Sequence, residues 1–318
     1  MTSEFELIRR HFMQPTRHTL LGAGDDAALF TVGAGMELAV STDMLVSGTH
    51  FFADADAYKL GWKSLAVNLS DLAATGALPK WATLAIALPA ADEAWIADFA
   101  KGFFTCAQRY QIDLIGGDTT RGPLAISVQI MGEVASGRAL LRSGAKAGDE
   151  IWVSGTLGSA AMALAALQGR YVLPADELDA CLPALHMPQP RVELGLLLHI
   201  YANSAIDISD GLLADLGHIL QASQLGAEIH LQYIPCSSVV NARLTDAQVQ
   251  RMVLAGGDDY ELCFTAPPRN HGEIARLAQM LALPLTCIGS MRENGGLVVR
   301  GLDNEILDMK DTGFDHFA

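Results

Sequence analysis

The chain has 318 residues and a mass of 33.8 kDa, enough for two domains at roughly 100–200 residues each. Half of its residues are hydrophobic and 18% are charged, which supplies a buried core and excludes a disordered chain. Lys and Arg number 21 against 36 Asp and Glu, and a net charge of -15 repels phosphate backbones, so no nucleic-acid partner is expected. An anionic ligand must then be held by something other than overall charge, and divalent metal ions are the candidate.

Cys106, Cys181, Cys236, Cys263 and Cys287 are odd in number, and no two are closer than 24 positions. That spacing gives neither a CxxC zinc site nor a dense disulfide framework. Charges run through residues 1–15, unlike a signal peptide, and no apolar stretch reaches 18 residues. The expectation is a reduced cytoplasmic protein with no membrane partner.

Helical and strand signals alternate along the chain, which predicts an α/β (α+β) architecture. Ser3 and Glu6 fit a capping box opening a helix through about Met13. Residues 37–42 read as a strand, and 56–75 as a helix with Leu60, Leu65, Leu69 and Leu72 at helical spacing. A strand from Trp81 to Leu88 stops at Pro89. Asp92 then caps a helix with Trp95, Phe99, Phe103 and Tyr110 along one side, a stripe read as core packing. Strands follow near 112–116 and 124–134. The small, charged segment 142–150 marks a domain boundary, after which IWVSG restarts a strand. Helices are predicted near 158–168, 191–202, 211–224 and 271–283. Pro183, Pro188 and Pro190 mark a break between the first two of these. No internal repeat is evident.

The usual nucleotide-enzyme signatures are missing: there is no GxxxxGK[ST], GxGxxG, HRD or DFG, and no HExxH or histidine cluster. Asp beside Gly, Ser or Thr recurs instead, at the ends of apolar segments: GAGDDAA (22–28), STD (41–43), NLSDLAATG (68–76), LIGGDTTRG (114–122), IDISDG (206–211) and GGDDYEL (256–262). Glycine lets backbone approach a ligand closely, and carboxylate oxygens are the hard donors that Mg²⁺ prefers. One Asp-Gly pair is an ordinary turn; six such clusters point to a shared cleft.

Each residue also has a plain structural role open to it. Asp210 has the place of a cap for a helix beginning at Gly211, and Asp43 that of a solvated carboxylate ending a strand. His50 in SGTHF is equally a core or loop histidine, and Arg142 a surface charge in a linker. Asp71 sits inside a helical pattern, where Asp is a poor helix former and no cap is needed, which points to function.

GDDAAL, STDMLVSGTHF, AVNLSDLAATGA, LIGGDTTRG, RSGAKAGD, NSAIDISDGL, GGDDYELCF and the closing GFDHF together resemble the thiamine-monophosphate kinase family, in that family's order and over nearly the whole chain. The family belongs with aminoimidazole ribonucleotide synthetase and selenophosphate synthetase in one ATP-binding superfamily. The resemblance implies an N-terminal ATP- and metal-binding and dimerisation domain (1–145) and a C-terminal α/β domain (146–318) completing the nucleotide and substrate site. It implies a homodimer whose N-terminal sheets pair, with ATP as co-substrate and several Mg²⁺ ions. By the same resemblance Asp26, Ser41, Thr42, Asp43, Asp71, Asp118, Asp207 and Asp210 are metal ligands. Gly117, Asp118, Arg142 and Ser209 contact the nucleotide, and His50, Asp258 and Phe314 face thiamine monophosphate. Asp43, Asp71, Asp118, Asp210 and Arg142 are the catalytic set. The chain reads GGDDYE where the family often has GGEDYE, so Asp258 stands in place of a Glu and its contact is shortened.

The implied reaction transfers a phosphoryl group from ATP to thiamine monophosphate, giving ADP and thiamine diphosphate. The acceptor is a phosphate monoester whose second pKa is about 6, so it is already largely ionised and needs no general base. Direct in-line transfer by positioning and electrostatics is expected, with the cationic thiazolium near Asp258 and its rings against Phe314. The enzyme runner-up is an aminoimidazole ribonucleotide synthetase-like ligase, against which GTHF and GFDHF speak. The first cysteine, Cys106, and the closing DHFA set apart the selenophosphate synthetase and hydrogenase-maturation relatives, which use terminal cysteines. A non-enzymatic acidic metal-binding protein is the remaining alternative; it would show no response to nucleotide.

Overall fold

The computed structural model describes residues 4–293, 295–309, 313, 314 and 316. Ser3 of the expected capping box lies outside them. The chain forms two compact units, Met1–Leu72 with Ala77–Arg138, and Ala73–Gly76 with Ala139–Ala318.

The first unit runs α1 (Glu4–His11), β1 (Met36–Val46), α2 (Ala57–Thr75), β2 (Leu78–Leu88), α3 (Glu93–Tyr110), β3 (Asp113–Arg121) and β4 (Ala125–Ala135). Its sheet has the order β1-β4-β2-β3. β2 and β3 are parallel because α3 carries the chain back across the sheet, whereas β4 pairs antiparallel with both β1 and β2. Asp92 caps α3, its Oδ1 accepting from the Ala94 and Trp95 amides, as the sequence predicts. Phe99 and Phe103 are fully buried, and the rings of Trp95, Phe99 and Phe103 stack in succession at 5.3 and 6.4 Å. The aromatic stripe is therefore core. β1 shows the two-residue alternation of a half-buried strand: Leu45 is buried, while Leu38, Val40 and Met44 are exposed.

The second unit runs β5 (Glu150–Ser154), α4 (Ser159–Leu167), α5 (Ala175–His186), α6 (Val192–Leu198), β6 (Ser204–Asp207), α7 (Leu212–Ser223), β7 (Gly226–His230), α8 (Ser238–Asn241), α9 (Ala247–Ala255), β8 (Leu262–Ala266), α10 (His271–Leu281), β9 (Leu285–Arg292) and β10 (Leu297–Arg300). Its six-stranded sheet has the order β10-β7-β9-β5-β8-β6, with only β10 and β7 parallel. Ile151 and Val153 of β5, Ile206 of β6, Cys263 of β8 and the apolar faces of α4, α7 and α9 form one core. No helix among the described residues is long and apolar enough to cross a membrane.

Three local expectations are corrected. The strand predicted at 37–42 continues to Val46, so Asp43 lies inside it and does not end it. Pro183 does not break the chain: it sits inside α5, three residues before its last residue His186, and the burial of Cys181 and Leu185 on either side offsets the one helical bond that a proline cannot make. The helix predicted over 191–202 closes at Leu198.

Candidate functional site

In the first unit the GAGDDAA segment is the tip of a hairpin. Leu21 and Leu29 bridge its arms, with the Leu29 amide donating to the Leu21 carbonyl at 2.8 Å and the Leu21 amide returning a bond at 3.1 Å. The tip, including Asp25 and Asp26, lines a cavity of about 200 Å³ together with Gly116, Gly117 and Asp118 of β3. Gly117 is required there: a Cβ would fall 1.8 Å from the Leu84 carbonyl oxygen on β2. Three predicted residues, Asp26, Gly117 and Asp118, thus meet at one cavity although 91 positions separate the first two.

β1 and α2 build a second constellation. The Ser41 hydroxyl donates to Asp71 Oδ2 at 2.5 Å, and the Asp43 amide donates to Asn68 Oδ1 at 3.1 Å. Asp71 thus has a partner about four turns into α2, which explains a carboxylate inside a helix with no end to cap. Strand alternation puts Ser41 and Asp43 on one face of β1 and Thr42 on the other, where Gln129 Nε2 donates to its hydroxyl at 3.3 Å. In register Asp118 pairs with Ala85, Ala85 with Ser127 and Ser127 with Met44, so Asp118 shares the Thr42 face. Among the described residues no three His, Cys, Asp or Glu side chains gather as a ready-made metal cage. After β1 the chain turns at Gly48, and the Val46 amide donates to His50 Nδ1 at 3.0 Å. That bond fixes the proton of the neutral ring on Nε2.

In the second unit three separate motifs are stitched into one loop cluster by backbone bonds. The Ile208 amide donates to the Glu261 carbonyl, Tyr260 to Ile208, and Asp258 to Ser209, each at 2.8 Å; the Phe314 amide donates to Asp210 at 3.0 Å. IDISDG, GGDDYE and the pair Gly313–Phe314 are thereby neighbours, which brings Ser209, Asp210, Asp258 and Phe314 into one loop cluster. Gly257 permits the approach, since a Cβ there would lie 2.4 Å from the Ser209 carbonyl. Asp258 (φ 69°) and Tyr260 (φ 50°) are both left-handed, and the Tyr260 hydroxyl donates to Asp258 Oδ1 at 3.2 Å. This geometry turns Asp258 and Asp259 apart: Asp258 is half-buried and Asp259 buried. The Phe314 ring is 53% exposed and meets His316 edge-on. Asp207, the last residue of β6, is buried opposite Leu262 of β8. Arg142 opens a short 3₁₀ turn (142–144), is exposed, and accepts the Ser223 hydroxyl on its carbonyl at 2.9 Å.

The residues that hold this cluster are not those the sequence singles out. Gly211, not Asp210, is the N-cap of α7, and no side chain caps it. Asp215 does the work from one turn inside the helix: its Oδ2 accepts from the Ser209, Asp210 and Gly211 amides at 3.0, 3.1 and 3.1 Å. Burial pushes the Asp215 carboxyl up to about 7, the Asp210 charge adds to this, and the three amide bonds oppose it. Asp259 takes the Gly158 amide on both oxygens at 3.1 Å, closing the start of α4, and burial raises its pKa well above the ordinary carboxylate value. Glu261 accepts the Ser154 hydroxyl at 2.6 Å and binds Arg191 through both carboxylate oxygens. Asp215 interrupts the apolar run LLADLGHIL and Glu261 directly precedes the apolar strand LCF, but neither position discloses which amides or side chains it meets.

The chain is similar to known proteins over nearly its whole length. Residues 24–134 match the family "AIR synthase related protein, N-terminal domain". Thiamine-monophosphate kinase of Escherichia coli (strain K12) is 48% identical over 321 residues, covering 99% of this chain and 98% of that protein. The crystal structure of thiamine-monophosphate kinase from Stenotrophomonas maltophilia K279a superposes with a TM-score of 0.85 at 47% identity, covering 91% of this chain and 92% of that one. A ThiL structure complexed with AMPPCP and TMP superposes at 0.79 with 30% identity, covering 90% and 89%. Its motifs, its fold and its full-length likeness agree: the chain belongs to the thiamine-monophosphate kinase family.

Proposed function

We propose that the chain phosphorylates thiamine monophosphate with ATP, giving thiamine diphosphate and ADP. The observation that carries this reading is the full-length likeness to thiamine-monophosphate kinases, supported by a relative of the same fold complexed with AMPPCP and TMP.

The donor set suits Mg²⁺. Asp26, Ser41, Asp43, Asp71, Asp118, Asp207 and Asp210 offer oxygen only, and Mg²⁺ is usually held by one or two carboxylates completed by water and substrate phosphates. A pre-assembled cage is therefore not needed. Mg²⁺ bound there supplies charge neutralisation for the phosphoryl group in transfer. The Thr42 side chain lies on the opposite face of β1 from Ser41 and Asp43, so its contribution would be separate from theirs.

In this reading the first unit, with the cavity at Gly117 and Asp118, serves the nucleotide and the metal. Ser209 and Arg142 are read as nucleotide contacts by the family resemblance, Arg142 as a fixed positive charge. The His50 ring, protonated on Nε2, is a donor for the phosphate of thiamine monophosphate. Asp258 places a carboxylate for the cationic thiazolium, and the exposed Phe314 ring offers a face for stacking. No proton has to be removed from an already ionised acceptor phosphate, so the residues' task is orientation and charge.

The same reading makes the protein a cytoplasmic homodimer. Its five cysteines are all free, and Leu38, Val40 and Met44 leave an apolar stripe on edge strand β1. Burying one such side chain is worth roughly 1.5–3 kcal/mol. Two experiments test the reaction. Melting temperature should rise with Mg²⁺–ATP beyond Mg²⁺ alone; equal shifts would favour simple metal binding. A chiral γ-phosphoryl donor should yield product of inverted configuration, and retention would rule out direct transfer.

A further inference from the structure

The hairpin whose tip carries Asp26 is fastened at both feet by carboxylates that no motif contains. At the first foot Asp113, buried at the start of β3, accepts the Arg17 amide on both oxygens at 2.8 and 2.9 Å. It also accepts the His18 amide at 2.6 Å and the Thr19 hydroxyl at 2.9 Å. The Trp81 indole N–H donates to the His18 carbonyl at 3.2 Å, and Phe30 of the returning arm stacks on the Trp81 ring with centroids 4.3 Å apart. At the second foot the Gly33 amide donates to Glu133 Oε1 at 2.8 Å, while Lys80 pairs with the other oxygen of Glu133.

Between these anchors the tip has little of its own to hold it. Gly24 to Ala27 are exposed, and among the described residues Asp25 accepts its neighbour's amide, from Asp26 at 2.8 Å. Asp113 stands five residues before Asp118 on the same strand, so one strand carries both the cavity wall and the clamp for the hairpin opposite it. A carboxylate taking four bonds from three consecutive residues fixes their direction more firmly than neutral acceptors would, because charge-assisted bonds are about twice as strong as neutral ones.

We propose that Asp113 is a positioning residue of the phosphoryl-transfer site: it sets the hairpin so that Asp26 faces Gly117 and Asp118 across the cavity, and it acts through Asp26 without touching substrate. This rests on the assignment of Asp26 to the nucleotide and metal site.

The test is a double-mutant cycle between Asp113→Asn and Asp26→Asn in the full chain, reading kcat, KM for Mg²⁺–ATP and KM for thiamine monophosphate. Asp113→Asn presents an amide donor to a set of donors and should raise KM for Mg²⁺–ATP at least about tenfold, about 1.4 kcal/mol, with KM for thiamine monophosphate changed less than about twofold. In an Asp26→Asn background the same substitution should add almost nothing, since coupled residues are not additive. Thr19→Val, which removes one bond and keeps the shape, should shift the same constant in the same direction and retain the fold. Full additivity in the cycle, or equal losses in both KM values, would overturn the proposal and leave Asp113 a purely structural anchor. If Asp26→Asn alone leaves Mg²⁺–ATP unaffected, the assignment of Asp26 is what fails.

Discussion

Removing the Asp215 carboxylate should loosen the loop that carries Ser209 and Asp210 and destabilise the second unit by a measurable amount. In Asp215→Ala three backbone amides lose their acceptor. Gly211 is buried, so its amide bears the full cost of an unsatisfied donor, about 1–3 kcal/mol; Ser209 and Asp210 are half-buried and regain water in part. A total near 3 kcal/mol lowers the melting temperature by about 6–12 °C for a unit of this size. Asp215→Asn keeps an acceptor and should cost about 1 kcal/mol. The carboxyl titrates at about 7 in the folded chain against 3.8 in the unfolded one. The folded state therefore holds a proton that the unfolded state has released, and stability from this group falls as pH rises from about 4 to 7. Asp215→Asn lacks that loss, so the advantage of the wild type over it should shrink across the same window. The assay is thermal unfolding of metal-free protein, in a chelator, at intervals of pH. A melting temperature for Asp215→Ala within about 2 °C of wild type, less than 1 kcal/mol, would refute the role given to the three bonds. A pH-independent difference between wild type and Asp215→Asn would refute the burial of a titrating carboxyl.

Asp43→Asn and Asp71→Asn should each lower kcat at least about 100-fold at saturating Mg²⁺ with the fold intact, because each removes a held negative charge at the transfer site; full activity in either would remove it from the site. Asp258→Ala should raise KM for thiamine monophosphate more than about tenfold and leave Kd for Mg²⁺–ATP unchanged, whereas Asp258→Glu should change that KM less than about tenfold; a mutant that mainly weakens ATP would make Asp258 a loop residue only. Light scattering should give twice the chain mass of 33.8 kDa, and Val40→Lys, placing a charge on the exposed β1 stripe, should shift the population to monomer; a wild-type monomer with full activity would contradict the dimer.

The first unit was largely legible in the sequence, because α2, α3 and β2 are long, periodic and terminated by local signals such as Asp92 and Pro89. The second unit was less so. β7 and β10 are only five and four residues long, too short to show a clear periodicity, and α5 contains a proline that its buried neighbours Cys181 and Leu185 offset. Within the site, glycine-flanked carboxylates were readable because their motifs are dense. Asp113, Asp215, Asp259 and Glu261 were not, because their partners are backbone amides or distant side chains. The division of Thr42 from Ser41 and Asp43 follows from strand alternation, and it became readable only once the strand was known to run past Asp43.

The most direct measurement is chromatographic detection of thiamine diphosphate after incubating the purified chain with ATP, Mg²⁺ and thiamine monophosphate. Thiamine diphosphate and ADP should form in equal amounts, with none when Mg²⁺ is chelated. ADP without thiamine diphosphate, or no turnover at any Mg²⁺ concentration, would contradict the assignment of this chain's carboxylate clusters to phosphoryl transfer onto thiamine monophosphate.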